Sequence, residues 1–125
     1  MHAARAYAQA SKETASKERL MVMLFEAALR HMRTGATLFE QGKHAEALPA
    51  LSKASDIVTE LAATLDPAQA PELTQMLGDL YLFVVQRLGH AAAFRDAKAV
   101  REAERAFAPI VEGFQQAVAS LTGSP

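Results

Sequence analysis

Four histidines are the side chains of this chain with the clearest capacity for metal chemistry: His2, His31, His44 and His90. Helical bundles that bind two iron ions place a Glu three residues before a His on each of two helices. No Glu or Asp stands three residues before any of the four histidines, and the nearest approach, Glu40 before His44, spans a predicted loop. The sequence therefore predicts no metal site and no cofactor.

A second kind of histidine chemistry is phosphotransfer. The run that begins at His31, His-Met-Arg-Thr-Gly-Ala, is similar to the His-x-x-Lys-Gly motif of histidine-phosphotransfer bundles. Gly35 fits the motif, but Thr34 stands where Lys is usual and cannot balance a phosphate charge. His31 also shares a helical stripe with Leu24 and Ala27, which favours a partly buried structural histidine. Phosphotransfer through His31 stays open as the alternative function.

Other catalytic arrangements are not found in the sequence. There is no cysteine, no glycine-rich phosphate loop and no Ser/His/Asp arrangement, so we expect a protein that is not an enzyme. The formal net charge of -1 gives no reason to expect nucleic acid as a partner. The N-terminus lacks the apolar core of a signal peptide, and the longest strongly apolar run, residues 20–25, is too short for membrane insertion. We expect a cytoplasmic protein.

The elements that would position these residues are helices. Hydrophobic residues make up 50% of the 125 residues but aromatics only 6%, so the apolar content is aliphatic and rich in Ala. Apolar spacing of three and four predicts helices over about residues 17–40, 44–65, 72–93 and 97–121. Pro49 should lie in the first turn of helix 2 or bend it, and Pro109 should kink helix 4.

Short loops between these helices predict an all-α, antiparallel, up-down-up-down four-helix bundle. The expected organisation is a mobile N-terminal segment at residues 1–15, a bundle domain at residues 16–121 and a tail at residues 122–125.

Helices 1 and 3 carry more apolar residues than one core-facing stripe needs. On helix 3 the core stripe is predicted to be Leu73, Leu77, Leu80, Val84 and Leu88. Side chains off the core stripes are then candidates for contact with a partner, because surplus apolar surface often binds an amphipathic helix. With Tyr7 of the N-terminal segment, the predicted partner-binding residues are Met21, Phe25, Ile57, Tyr81 and Val85.

Four segments, in order along the chain, resemble the flagellin-specific export chaperones of bacteria. Tyr7 precedes a Thr-Ala-Ser run at residues 14–16, and Leu-x-x-Met-Leu-Phe follows at residues 20–25. Residues 54–66 are similar to the second helix of that family and residues 80–88 to its third. The resemblance covers about residues 7–121. Lys17 stands where the family usually has Pro, Phe25 and Phe83 where it has Tyr, and Ala92 where Asn is common.

This resemblance implies a function. The family binds the C-terminal segment of flagellin, which is disordered before assembly and forms helices as it wraps the bundle. Binding prevents premature polymerisation and assists delivery to the flagellar type III export apparatus, with the export gate and a co-chaperone as further partners. The surplus stripes of helices 1 and 3, with helix 2 between or beside them, would form the groove. The N-terminal segment would cover apolar surface, dock the export apparatus or be inert.

Overall fold

The structure is a computed structural model that describes the fold of residues 2–121 and the side chains of residues 17–121. It contains four helices: α1 (His2–Glu40), α2 (His44–Ala63), α3 (Pro71–Phe94) and α4 (Ala97–Leu121). No strand occurs within residues 2–121. The predicted all-α fold is confirmed, and the predicted bounds of α4 agree with the structure at both ends.

The helices form a closed ring in chain order. Each helix packs against its two neighbours, including α1 against α4, while the diagonal pairs α1/α3 and α2/α4 make no backbone contact within the described part of the chain. The connections at residues 41–43 and 95–96 are short, so consecutive helices run antiparallel. This is the up-down-up-down bundle that the loop lengths predict.

Helix α1 begins well before its predicted start near Lys17. Residues 2–16 contain six alanines and neither Pro nor Gly, so nothing in the sequence stops a helix from extending back to His2. The side chain of Tyr7 lies outside the described residues, as does the tail at residues 122–125. The expectation that residues 1–15 are mobile stays a prediction.

The end of α1 is set by a glycine. Gly42 has a φ of 77°, in the left-handed region that favours glycine. Its N–H donates to the Phe39 carbonyl at 3.0 Å, and the Lys43 N–H donates to the Leu38 carbonyl at 2.8 Å. These two bonds are those of a Schellman motif, and they satisfy carbonyls that the helix end would otherwise leave free.

The turn between α3 and α4 depends on a side-chain cap. Arg95 adopts the left-handed conformation with a φ of 54°, which is unusual for a residue with a Cβ. Asp96 then caps α4, because its Oδ1 accepts from the N–H groups of Lys98 at 3.0 Å and Ala99 at 3.4 Å.

The three helical prolines differ in cost. Pro71 is the first residue of α3, where a missing N–H costs nothing. Pro49 lies in the second turn of α2, and not in its first turn as one of the two predictions required. Pro109 lies in the interior of α4, which continues through it as one helix. Both interior prolines are exposed, so water can reach the carbonyls that they leave unpaired.

An aromatic cluster occupies the centre of the core. The Phe25 ring of α1 lies 5.7 Å from the Phe107 ring of α4, centroid to centroid, and 4.3 Å from the Phe114 ring, on which it stacks. The Tyr81 ring of α3 lies 6.4 Å from Phe107. Burial raises the pKa of the Tyr81 phenol to about 12, so it stays neutral. The cluster joins three of the four helices.

The predicted core face of α3 is partly wrong. Leu77, Val84 and Leu88 are buried as expected, and Leu80 is half-buried. Leu73, however, is 51% exposed, whereas Tyr81 is 3% exposed and belongs to the core. The buried face of α3 is therefore rotated about the helix axis, away from the predicted stripe and towards Tyr81.

Helices α1 and α2 approach closely at Gly35. A Cβ built on Gly35 would lie 2.7 Å from Cδ2 and 3.3 Å from Cγ of Leu51, which is itself 2% exposed. This glycine therefore serves the packing of the two helices. Glycine in a helix interior costs about 1 kcal/mol of stability relative to Ala. The close packing of α1 on α2 at Gly35 must offset this cost.

Arg101 of α4 binds charged groups at the end of the bundle where α1 stops and α4 begins. Its guanidinium donates to both carboxylate oxygens of Glu40 on α1, at 2.8 and 3.0 Å, and to Glu104 at 2.8 Å. Arg33 of α1 donates to the other Glu104 oxygen at 2.9 Å. Burial alone would raise the pKa of Glu104, but the hydrogen bonds from Arg101 and Arg33 lower it overall. The hydrogen bond from Arg101 likewise lowers the pKa of Glu40.

We predict that Gly35→Leu destabilises the bundle by about 1–3 kcal/mol, because the new side chain overpacks the contact with Leu51. The matched control is Gly89→Leu, since a Cβ at exposed Gly89 would meet nothing within 4 Å. Urea unfolding followed by circular dichroism measures both. Equal stability of the two variants would contradict the assigned role of Gly35.

The charged contacts predict an acid-sensitive fold. The pKa of Glu104 is lower in the folded than in the unfolded chain, so its stabilisation is present above pH 4.5 and is lost as the pH falls through the folded value. Glu104→Gln should cost about 1–2 kcal/mol at pH 7 and lose less stability than the natural chain between pH 7 and pH 3. Urea unfolding at both pH values measures this, with Glu112→Gln on the exposed face of α4 as control. Parallel pH dependence in both variants would refute it.

Candidate functional site

One end of the bundle leaves apolar side chains uncovered. It is formed by the C-terminal turns of α2 and α4 together with the parts of α1 and α3 beside them. Val111 is the last buried residue of α4, after which Phe114 is half-buried and Leu121 is 68% exposed. On α3, Leu73 is 51% and Met76 56% exposed. The core therefore ends before the helices do.

A groove between α3 and α4 gathers these side chains on one side of α4. Its volume is about 210 Å³. Its walls contain no charged residue and are formed by Leu73, Met76, Leu77, Pro109, Ile110, Gly113, Phe114 and Ala117. We call this the α3–α4 groove.

A second groove lies between α1 and α4, with a volume of about 350 Å³. It is lined by Lys17 and Glu18 and by the apolar residues Met21, Phe114, Ala117, Val118 and Leu121. We call this the α1–α4 groove. Because Phe114 and Ala117 line both grooves, the last turns of α4 form a ridge with apolar surface on either side.

The structure places the predicted partner-binding residues in different surroundings. Met21 lines the α1–α4 groove and is half-buried. Ile57 and Val85 are half-buried against the core. The expectation that Phe25 and Tyr81 lie on the surface is wrong, because they are 1% and 3% exposed and belong to the aromatic cluster. Contact of these residues with a partner stays a prediction.

The predicted client groove, formed by helices 1 and 3 with helix 2 between or beside them, stays a prediction. Helices α1 and α3 are diagonal in the ring, and the two grooves described above both flank α4. By their three-four spacing, Ile110, Phe114, Ala117 and Leu121 form one apolar stripe that runs to the last turn of α4. The spacing is real, but the side chains near the end of this stripe lie beyond the point where α1 and α3 cover them. Leu73 and Met76 of α3 likewise lie beyond the end of the core, so helical spacing alone did not indicate that they line a groove.

Other exposed apolar side chains lie outside the two grooves. Met23 on α1 is 57% exposed, Leu82 on α3 is 57% exposed, and Phe94 at the end of α3 is 71% exposed. They line neither groove, and single exposed apolar residues are common on protein surfaces. Met23 is useful as a reference, because it matches Met76 in residue type and exposure.

His31 is half-buried on α1. Partial burial lowers the pKa of its imidazole, and the nearby charges of Arg30 and Lys53 lower it further. The glycine that resembled the phosphotransfer motif, Gly35, is buried against Leu51 and so gives no open approach to another protein. These observations agree with a structural histidine.

Two further classes of site are absent from the described residues. They hold no group of three or more His, Cys, Asp or Glu side chains that could bind a metal ion. Among the same residues, no helix combines the length and the apolar character that crossing a bilayer requires.

The structure is a small helical bundle with two apolar grooves at one end, and comparison with known proteins identifies the family. The family model described as "Flagellar protein FliS" matches residues 1–121. The flagellar secretion chaperone FliS of Salmonella typhimurium is 35% identical over 117 residues, which cover 90% of this chain and 87% of that protein. The Escherichia coli protein of the same name is 35% identical, with 96% and 94% covered. This chain belongs to the FliS family.

We predict that His31→Gln leaves the fold unchanged and that the natural chain takes up no label from radioactive acetyl phosphate, because His31 is a structural residue. Circular dichroism and autoradiography measure the two properties. Label that appears on the natural chain and is lost in His31→Gln would establish the phosphotransfer alternative.

Proposed function

We propose that this protein is a non-enzymatic flagellar export chaperone whose client is the C-terminal segment of flagellin. Binding prevents premature polymerisation and assists delivery of flagellin to the flagellar type III export apparatus. The observation that carries the proposal is the pair of apolar grooves beside α4, which the core does not need. Family membership supports it, because two relatives are named flagellar secretion chaperones.

The chemistry of the grooves suits a helix with one apolar face. The α3–α4 groove has no charged residue in its lining, and Lys17 and Glu18 are the two charged residues that line the α1–α4 groove. A disordered segment that folds on binding loses conformational entropy, so it must bury a large apolar area to bind at all. Two grooves on either side of one ridge offer more area than either does alone. The client therefore contacts Met21 in one groove and Met76 in the other.

The remaining parts of the proposal concern the edges of this surface. Ile57 and Val85 contact the client where it continues around the bundle, and Tyr7 with residues 1–15 covers apolar surface when no client is bound. The export gate and a co-chaperone are further partners. The support for these parts is the resemblance of residues 7–121 to the family and the half-buried state of Ile57 and Val85.

We predict that the protein binds full-length flagellin and not flagellin that lacks its last few tens of residues. Met76→Asp should weaken binding at least tenfold, because a carboxylate would be buried in an uncharged groove without a partner. Titration calorimetry at several temperatures measures affinity and should give a negative heat-capacity change, since binding buries apolar surface.

The matched control is Met23→Asp, which makes the same change at a methionine of similar exposure outside both grooves. Both variants should keep the melting temperature of the natural chain, because neither methionine is buried. Equal affinity for the truncated flagellin would reject the choice of client. Equal loss of binding in the two methionine variants would mean that the client lies elsewhere.

A further inference from the structure

The apolar lining of the α3–α4 groove continues along α3. Leu73 and Met76 line the groove, Leu80 follows as a half-buried residue, and Phe83 is 41% exposed. These residues are three, four and three positions apart, and Arg87 follows four positions later. We call Leu73, Met76, Leu80, Phe83 and Arg87 the α3 stripe. It runs about 21 Å along the helix axis, which is about four turns.

Spacing of three and four residues is the pattern with which one helix packs against another. Helix α3 contains this pattern twice. The first set is buried and forms the core face: Leu77, Tyr81, Val84 and Leu88. The second set is the α3 stripe, which α4 covers only in part, since Leu80 packs against the core whereas Phe83 remains exposed. The core accounts for one set, and the other is available to a helix from outside the bundle.

Arg87 is the one charged residue of the α3 stripe. Its Nη2 donates to Oε1 of Glu102 on α4 at 3.3 Å, which is longer than the usual charged hydrogen bond, and its buried Nε has no partner among the described residues. Arg101, by contrast, makes four hydrogen bonds, the shortest of 2.8 Å. A guanidinium has five N–H donors. The bundle therefore leaves donors of Arg87 available to another acceptor.

We propose that an amphipathic helix of the client docks lengthwise on the α3 stripe and that a carboxylate of this helix pairs with Arg87. The inference rests on the proposed function and names the chemistry by which the client is recognised. Docking removes water from the guanidinium, and a charge that loses water without gaining a counter-charge is strongly destabilising. The docked helix must therefore supply an Asp or Glu at the level of Arg87.

The same requirement argues against a second copy of this chain as the occupant. The α3 stripe contains one cation and no acidic residue, so two copies packed through it would bury two Arg87 side chains without a new counter-charge. A client helix that fits has apolar residues at three-four spacing. Its carboxylate lies one turn, or about 6 Å, beyond the side chain that contacts Phe83.

Disulfide cross-linking tests the position of the client, and this chain suits the method because it has no cysteine. Met76→Cys and Phe83→Cys are each mixed with flagellin variants that carry one cysteine in the C-terminal segment. The two residues are seven apart on one helix face, so their cross-linked client positions should also be about seven apart. Leu82→Cys is the control, because Leu82 is 57% exposed but lies off the α3 stripe, and it should give at least tenfold less product. Equal product from Leu82→Cys and Phe83→Cys would overturn docking on the α3 stripe.

Titration of full-length flagellin at low and high salt tests the pairing with Arg87. Arg87→Gln should weaken binding at least threefold and reduce its salt dependence, because the carboxylate of the client loses its partner. Arg105→Gln, the same change on the exposed face of α4, should alter neither property. Affinity and salt dependence of Arg87→Gln equal to those of the natural chain would overturn the pairing.

Glu102→Gln separates recognition of the client from a purely structural role of Arg87. If Arg87 serves only to hold α3 on α4, Glu102→Gln removes the same ion pair and should weaken binding as much as Arg87→Gln does, which would overturn the inference. If Arg87 pairs with the client, removal of the competing Glu102 carboxylate keeps or raises the affinity.

A charge reversal identifies the carboxylate of the client. Arg87→Glu should weaken binding at least tenfold, and one flagellin variant with Lys in place of an Asp or Glu of its C-terminal segment should restore it. If no such variant restores binding, the pairing is rejected. Arg87→Gln and Glu102→Gln decide the question if Arg87→Glu does not fold.

These experiments distinguish the inference from the proposed function. If the natural chain does not bind flagellin, the proposed client and its docking on the α3 stripe are both wrong. If the natural chain binds flagellin but the cross-links or the Arg87 variants give the contrary results, the chaperone function stands and this inference is rejected. Light scattering covers the other occupant: a natural chain that is dimeric without flagellin, and monomeric as Phe83→Asp, would assign the α3 stripe to a second copy and overturn the proposal.

Discussion

The packing of Phe25 against Phe107 closes the ring of helices, and the rest of the bundle depends on that contact. Loops join α1 to α2, α2 to α3 and α3 to α4, but no loop joins α1 to α4. Side chains alone must hold this interface together. The rings lie 5.7 Å apart and both side chains are at most 1% exposed, so the contact excludes water from the centre of the interface.

The two ends of the α1–α4 interface are held by different interactions, charged at one end and apolar at the other. At one end Arg101 binds Glu40 and Glu104 through short charged hydrogen bonds, which specify the register of the two helices. At the other end Phe114 covers Phe25, and apolar side chains extend beyond the core. Partly exposed ion pairs contribute little stability each, so the polar end specifies the arrangement more than it stabilises it. The apolar end is the one where apolar side chains remain exposed to solvent.

Much of the fold follows from the sequence because the signals are local. Apolar periodicity defines the helices, Gly42 ends α1, Asp96 begins α4, and the short loops require antiparallel neighbours. The beginning of α1 was the exception, since alanine-rich sequence without a breaker permits a helix to extend and helical spacing cannot say where it stops. These features need knowledge of only a few neighbouring residues along the chain.

The candidate site was harder to predict because it depends on where the core ends. Spacing shows that Leu73 and Tyr81 of α3 lie on different stripes, but not which stripe points inward. That choice depends on Phe107, which is distant in the sequence and reaches Tyr81 across the bundle at 6.4 Å. Met21 lines the α1–α4 groove, and its contact with a partner stays a prediction. The spacing of apolar residues on α4 does not distinguish Phe114 from the buried residues before it. Only the packed bundle reveals which apolar side chains at this end remain exposed.

If the client of the proposed function is disordered before it binds, its disorder has a thermodynamic consequence. A segment that becomes ordered on binding loses conformational entropy, and this loss is subtracted from the free energy gained when its apolar side chains are buried. The affinity is therefore lower than the apolar area of the two grooves alone would give. An export chaperone needs this balance, because it must hold a disordered segment firmly enough to prevent polymerisation and still release it.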